Sequence, residues 1–286
     1  MPDWPVVRRK LGVASLTFVL ALGGVYAGVC VLFWKYERAF VFAQAPRPRI
    51  APQTVGLMGF AEVTVTTDDG VPLYGWWKPP EPGHGAIVFL TGSGVTLSDY
   101  PQMLGDLAAH GFGVLGIDYR GNGASPGTPS EPAWRADARA AFDFVRRAAP
   151  GAKIAAYGES MGTGFAVGLA RERPVVGVLL NSPYASVLRL FERNGIRQAF
   201  GVPLPFRLLM TDTLDSEALI GDLRVPVMIL HGTEDHTIPI GEARRIYAAA
   251  HEPKTMIEVE GAAHVQTWSG PTRDRALAAL ARWTAP

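Results

Sequence analysis

A glycine-flanked serine, in the sequence Gly158-Glu159-Ser160-Met161-Gly162, restricts the possible folds of this 286-residue chain more than any other feature. It directly follows the apolar run KIAAY (153–157) and precedes the small-residue stretch TGFAVGLA (163–170). This context predicts a buried strand, a sharp turn and a helix, with the serine hydroxyl raised above the sheet as a nucleophile. A structural serine in a glycine-rich loop is the alternative.

Apolar segments of strand length alternate with stretches of helical length through most of the chain. The later strands are almost continuously apolar, which is typical of a parallel sheet covered by helices on both faces. The first two strands flank the turn Asp68-Asp69-Gly70 and predict an antiparallel hairpin at the start of the sheet. The eight predicted strands are 61–67, 71–77, 86–90, 112–118, 153–157, 175–180, 225–230 and 254–259.

One connection is too long for a simple crossover between strands. It lies between the strands 175–180 and 225–230 and is rich in Phe, Leu and Pro. We expect residues 188–222 to form a short helical lid over the carboxyl ends of the strands, where open α/β sheets bind their ligands. An extra packing helix that does not contact a substrate is the alternative.

The amino-terminal region contains 24 uncharged residues, Leu11–Trp34, flanked by basic residues. A helix of this length spans about 36 Å, and the hydrocarbon core of a bilayer is about 30 Å thick. The pattern predicts a tail (1–10), a transmembrane helix (11–34), a proline-containing linker (35–58) and a folded domain (59–286). A cleaved signal peptide is the alternative, but its apolar stretch is ordinarily shorter.

The charges next to this segment give a prediction of its orientation. Arg8, Arg9 and Lys10 form a tight cluster, which favours a cytoplasmic amino end and an extracytoplasmic folded domain in a single-pass membrane protein. The net charge of the chain is only +1, with no basic stripe, so nucleic acid is not an expected partner. The single cysteine, Cys30, lies inside the apolar run and cannot form an internal disulfide.

A serine nucleophile needs an acid that orients its base. The strand 225–230 ends in the sequence HGTEDHTIP, which places Glu234 and Asp235 in a loop at the carboxyl edge of the predicted sheet. We favour Asp235 as the acid, with Glu234 as the alternative. A solvated turn acid without a catalytic role would also suit this loop.

The base is expected late in the sequence, after the last strand. His264 lies in the sequence GAAH directly after the strand 254–259 and is the predicted base. Two other histidines follow Asp235. His236 is too close to Asp235 in the chain to reach Ser160, and His251 ends a predicted helix that it could cap.

With Ser160, Asp235 and His264 in this order, the chain resembles the α/β-hydrolases, and in particular their branch with an amino-terminal membrane span and a short lid. The resemblance covers residues 36–286. It implies an α/β-hydrolase fold with a mostly parallel eight-stranded sheet, and it implies no metal and no cofactor. The sequence DYRGNGAS (118–125) is similar to a loop that follows the fourth strand in that branch.

Within that loop we expect Asp118, Arg120 and Ser125 to hold the backbone by hydrogen bonds rather than to take part in the chemistry. The oxyanion of the reaction needs preorganised donors. By position these are the backbone N–H groups of Met161 and Ser93, with Gly94 as an alternative to Ser93. The family commonly has His-Gly before this point, whereas this chain has Thr91-Gly92.

These residues predict a membrane-anchored serine hydrolase that works through an acyl-enzyme intermediate. The apolar lid and the adjacent membrane favour a small-molecule carboxyl ester or thioester with an acyl chain as substrate. The resemblance also allows a peptidase or amidase that acts on small aminoacyl substrates. A catalytically silent, membrane-tethered interaction module is the contrasting hypothesis.

Overall fold

The computed structural model describes residues 4–194 and 204–286, and the middle of the expected lid, 195–203, lies outside them. Within the described residues one eight-stranded sheet forms the centre of the folded domain, in the order β1-β2-β4-β3-β5-β6-β7-β8. The strands are β1 (Ala61–Thr66), β2 (Pro72–Lys78), β3 (Ala86–Leu90), β4 (Gly113–Ile117), β5 (Ile154–Glu159), β6 (Val178–Asn181), β7 (Val227–Gly232) and β8 (Lys254–Val259).

The sheet begins antiparallel and continues parallel, as the sequence predicts. β2 pairs antiparallel with both β1 and β4, and every pairing from β4 to β8 is parallel. The expected turn is present, since Gly70 has a φ of 81° and its N–H donates to the carbonyl of Thr67. All carboxyl ends of the parallel strands therefore meet at one edge of the sheet.

Helices cover both faces of the sheet. Trp134 and Phe165 belong to the core on one face, and Leu104 and Leu277 belong to the core on the other. The helices are α1 (Trp4–Val41), α2 (Pro101–Ala109), α3 (Glu131–Ala148), α4 (Met161–Glu172), α5 (Val187–Asn194), α6 (Phe206–Leu209), α7 (Ser216–Ile220), α8 (Ile240–Ala249) and α9 (Gly270–Thr284).

The start of α3 shows how local sequence sets a boundary. The Ser130 side chain accepts a hydrogen bond from the N–H of Ala133, Pro132 lies in the first turn, and Arg146 and Arg147 lie in the last turn. A serine cap and an early proline satisfy or remove N–H groups that have no partner inside the helix, and the arginines complement the helix dipole. The boundary matches the one that Ser130 and Pro132 predict.

Helix α1 is long and apolar enough to cross a membrane, by length and composition. It extends beyond the expected span at both ends, since it begins by Trp4 and continues to Val41, into the segment that the sequence suggests as a linker. Its residues 11–28 are exposed on every side. Its last turns bury a stripe at a spacing of four residues, comprising Phe33, Glu37 and Val41.

The lid segments leave the sheet after β6 and return before β7. An isolated antiparallel β-bridge joins Ser186, before the lid, to Asp215, near its end. The three described helices of the lid, α5, α6 and α7, are short. Buried side chains in and next to α6, namely Leu204, Phe206 and Met210, join the same core as α3 and α4.

Candidate active site

Ser160 lies on the sharp turn between β5 and α4, with a φ of 50° and a ψ of −119°. A positive φ is unfavourable for a residue with a side chain and is maintained only by the surrounding structure. Gly158 and Gly162 allow this turn, because a Cβ on Gly158 would lie 2.4 Å from the Gly162 carbonyl oxygen and a Cβ on Gly162 would lie 2.1 Å from that of Leu90. Any larger residue would force the turn apart.

The structure brings the three predicted chemical groups together. The His264 Nε2 lies 2.9 Å from the Ser160 Oγ, and its Nδ1 lies 2.7 Å from the Asp235 Oδ2. A carboxylate only accepts hydrogen bonds, so the imidazole donates from Nδ1 and its Nε2 is left to accept the serine hydroxyl. This is the arrangement in which a histidine can take the proton of a serine.

Asp235 is held in place by its own loop. Its side chain has no exposed surface, and its Oδ1 accepts hydrogen bonds from the N–H groups of Thr237 (2.9 Å) and Ile238 (2.8 Å). Burial raises the pKa of this carboxyl, but the hydrogen bonds from His264 and from the Ile238 N–H outweigh it and bring the pKa below its ordinary value. The alternative acid, Glu234, is exposed, as are His236 and His251.

His231 is part of this site, although the sequence analysis did not identify it. His231 is completely buried. Its Nε2 lies 2.7 Å from the Ile238 carbonyl oxygen and 3.4 Å from the Asp235 Oδ2. Because a carbonyl only accepts, Nε2 carries the proton. Burial lowers the pKa of His231, which favours the neutral ring. The ring therefore faces the Asp235 carboxylate with an N–H group rather than with a full positive charge.

The loop after β3 lies beside the nucleophile. A Cβ on Gly92 would lie 3.5 Å from the Ser160 Cβ, and the N–H of Gly92 is already engaged by the Tyr100 hydroxyl at 3.2 Å. Ser93 and Gly94 follow in this loop, and Gly94 has a φ of 72°. Met161 is the first residue of α4, so its N–H has no partner within the helix. Both expected donor segments thus adjoin Ser160.

Comparisons with known proteins agree with this fold. The family model described as serine aminopeptidase, S33, matches residues 81–202, which include Ser160 but neither Asp235 nor His264. An esterase structure from Pyrococcus furiosus superposes with a TM-score of 0.70 at 22% identity, covering 84% of this chain and 97% of that chain. An uncharacterized protein of Mycobacterium tuberculosis is 34% identical over 254 residues, covering 87% of this chain and 88% of that protein.

The chain belongs to the α/β-hydrolase superfamily. Among other relatives, the lysophosphatidylserine lipase ABHD12 of Macaca fascicularis is 26% identical over 215 residues, covering 66% of this chain and 54% of that protein.

The hydrolase loop 118–125 is held by the hydrogen bonds that its sequence predicts. The Asp118 Oδ1 accepts from the Leu97 N–H at 2.8 Å, and the Ser125 hydroxyl donates to the Asp118 carbonyl oxygen at 2.7 Å. The Arg120 Nε donates to the Asp137 Oδ1 at 2.8 Å. The polar atoms of these side chains hydrogen-bond to the backbone and to Asp137, which agrees with a structural role.

The segment after α1 crosses the edge of the site. The N–H of Ala45 donates to the Asn122 Oδ1 at 2.9 Å, and its carbonyl oxygen accepts from the Gly123 N–H at 2.8 Å. The carbonyl oxygen of Ala43 accepts a hydrogen bond from the Ser93 hydroxyl at 3.4 Å. The hydrolase therefore uses this segment to support the loops around Ser160, and not as a free tether.

The last turns of α1 pack against the lid of the hydrolase. The ring of Phe33 meets those of Phe206 and Phe191 edge-on, with centroids 5.1 and 5.8 Å apart. The buried carboxylate of Glu37 accepts hydrogen bonds from the N–H groups of Thr211 (2.6 Å) and Asp212 (2.9 Å). The helix and the lid thus form one packed unit.

No metal centre was expected in this hydrolase. Among residues 4–194 and 204–286, the structure has no group of three or more His, Cys, Asp or Glu side chains that could hold a metal ion.

Proposed function

We propose that the chain is a membrane-anchored serine hydrolase that cleaves carboxyl esters or thioesters, with Ser160 as nucleophile, His264 as base and Asp235 as the orienting acid. The observation that carries this proposal is the unbroken line of contacts from the Ser160 Oγ through His264 to Asp235, at 2.9 and 2.7 Å.

The reaction follows from this geometry as a two-step acyl transfer. The Ser160 Oγ attacks the substrate carbonyl while its proton passes to the His264 Nε2. The oxyanion accepts hydrogen bonds from the backbone N–H groups of Met161 and Ser93. The tetrahedral intermediate collapses, the alcohol or thiol leaves with the proton from His264, and the acyl group remains on Ser160. Water then attacks the acyl-enzyme, with His264 again as base, and releases the acid.

The substrate class is inferred from the apolar lid and from the relatives. The described lid buries Leu204, Phe206 and Met210 in the same core as α3 and α4, so this part of the chain is predominantly apolar. The names of ABHD12 as a lipase and of the Pyrococcus furiosus protein as an esterase agree with this choice. A peptidase acting on aminoacyl substrates is the second candidate, because the matching family model describes serine aminopeptidases.

A matched substrate panel separates these candidates. We expect the full chain in detergent micelles to hydrolyse p-nitrophenyl esters and acyl thioesters of two to twelve carbons, and to cleave aminoacyl p-nitroanilides no faster than the Ser160→Ala variant does. A preference for the anilides would contradict the ester assignment and support the peptidase. Absence of turnover on both series, with Ser160 unreactive, would support a catalytically silent module.

Membrane anchoring is proposed from α1, whose residues 11–28 are apolar or weakly polar and exposed on every side. The basic cluster Arg8-Arg9-Lys10 favours a cytoplasmic amino end and an extracytoplasmic hydrolase domain. We expect the full chain to stay in the membrane pellet after an alkaline carbonate wash. A Leu20→Arg variant should be retained less well, because arginine at the centre of a span costs roughly 2.5–3.5 kcal/mol. Release of the unaltered chain into the supernatant would contradict the proposal.

A further inference from the structure

A completely buried asparagine at the end of β6 joins two parts of the site. The Asn181 backbone carbonyl oxygen accepts from the Ser160 N–H at 2.8 Å. Its Oδ1 accepts from the Thr267 hydroxyl at 2.5 Å, and Thr267 lies three residues after His264. Its Nδ2 donates to the Glu159 Oε2 at 3.1 Å. One side chain therefore contacts both the nucleophile turn and the histidine loop.

Glu159 extends this set of contacts to the loop after β3. Glu159 is 4% exposed, and its carboxylate interacts with the Tyr100 hydroxyl, which accepts a hydrogen bond from the N–H of Gly92 at 3.2 Å. Burial raises the pKa of Glu159 to about 7. The four side chains Tyr100, Glu159, Asn181 and Thr267 thus form a continuous buried line, which we call the polar line.

The polar line joins the three segments whose relative positions decide the chemistry. The first is the loop from Gly92, which leads into the expected oxyanion donor Ser93. The second is the turn that carries Ser160, and the third is the loop from His264 to Thr267. A catalytic group displaced by about 1 Å can cost about 100-fold in rate, and buried polar groups are expensive to leave unpaired. A line of fully partnered buried groups is therefore suited to fixing these distances.

We propose that Tyr100, Glu159, Asn181 and Thr267 are positioning residues that hold the oxyanion loop and the histidine loop at fixed distances from Ser160. The inference rests on the proposed hydrolase function and goes beyond it, because none of the four touches the reacting atoms in the mechanism given above. It assigns a functional reason to a glutamate beside the nucleophile and to a tyrosine in a different loop.

The test removes one hydroxyl at a time from the full chain in detergent micelles. Tyr100→Phe leaves the ring in place but removes the acceptor of the Gly92 N–H. We expect kcat on p-nitrophenyl butyrate to fall about tenfold to 100-fold with KM unchanged within about twofold, because a misplaced oxyanion donor acts only on the transition state. Thr267→Val removes the bond to Asn181 and should lower kcat in the same way.

A matched control is available in Tyr119→Phe. Tyr119 is completely buried, and its hydroxyl has no hydrogen-bond partner within the described residues. Its loss should leave kcat unchanged and shows the effect of deleting a buried tyrosine hydroxyl elsewhere. The Thr267→Val variant tests the proposal independently should Tyr100→Phe not fold.

Two results would overturn the proposal. If folded Tyr100→Phe and Thr267→Val both match Tyr119→Phe in kcat, the polar line is only structural. If KM alone rises, Tyr100 acts as part of the cavity of about 530 Å³ that it lines with Trp268. In both cases the wild-type chain still reacts with a fluorophosphonate at Ser160. A wild-type chain that does not react would instead remove the proposed function, and this inference with it.

Discussion

Replacing Ser160 with alanine is expected to abolish labelling by a fluorophosphonate probe and to lower ester turnover by roughly 10⁴-fold or more, because no other hydroxyl replaces the attacking oxygen. His264→Ala should have a similar effect, because the serine then has no base 2.9 Å from its Oγ. Both measurements use the full chain in detergent micelles, with labelling read on a gel and turnover on p-nitrophenyl butyrate.

The chain supplies matched controls for both changes. His251→Ala removes an exposed histidine that also follows Asp235 and should leave turnover unchanged. Asp235→Asn should lower kcat by about 10⁴-fold, because it destabilises the tautomer that His264 needs, whereas Glu234→Gln in the same loop should have little effect. Retained labelling in Ser160→Ala would show that another residue is the nucleophile. A large loss in Glu234→Gln would show that the acid was assigned wrongly.

The second large effect is expected at Glu37, on the last turns of α1. Glu37→Ala should lower the free energy of unfolding by about 3 kcal/mol, because it leaves the buried N–H of Asp212, and the partly buried N–H and hydroxyl of Thr211, without their acceptor. In detergent, the midpoint of thermal unfolding should fall by roughly 6–12 °C for a chain of this size.

Glu192→Ala is the control for Glu37→Ala. Glu192 lies on helix α5 of the lid, where it is exposed and pairs with the exposed Arg207. Exposed ion pairs contribute little, so this change should alter stability by less than about 1 kcal/mol. If both variants unfold at the same temperature as the wild type, the contact between α1 and the lid does not stabilise the domain.

Much of the fold could be predicted because its determinants are local. Apolar runs of strand length mark the parallel strands, Asp68-Asp69-Gly70 marks the hairpin, and Ser130 with Pro132 marks the start of α3. The positions of Ser160 and His264 beside strand ends were predictable for the same reason. The carboxyl ends of parallel strands meet at one edge of a sheet, so a motif after each strand is enough to bring the groups near one another.

Other parts of the site depend on tertiary packing and have no local signature. His231 is the next-to-last residue of β7, and nothing in the local sequence distinguishes it from an ordinary residue at the end of a strand. Asn181 ends β6 and Tyr100 lies in the loop before α2, far away in the chain, and only the register of β5 against β6 brings Asn181 opposite Glu159. The residues from Lys35 to Val41 carry charges and precede several prolines, so composition suggests a linker. In the structure these residues belong to helix α1 and pack against the lid. The lid residues that they contact lie about 170 positions later in the chain.

The continuity of α1 into the core affects how the protein can be handled and how it can evolve. A fragment cut immediately after the predicted span, at residue 36, would lack Phe33 and leave an unfilled space beside the paired rings of Phe191 and Phe206. An anchor transplanted from an unrelated protein would attach the domain to a bilayer but leave the same gap. Purification therefore calls for the whole chain, and α1 and the hydrolase domain are expected to change together in evolution.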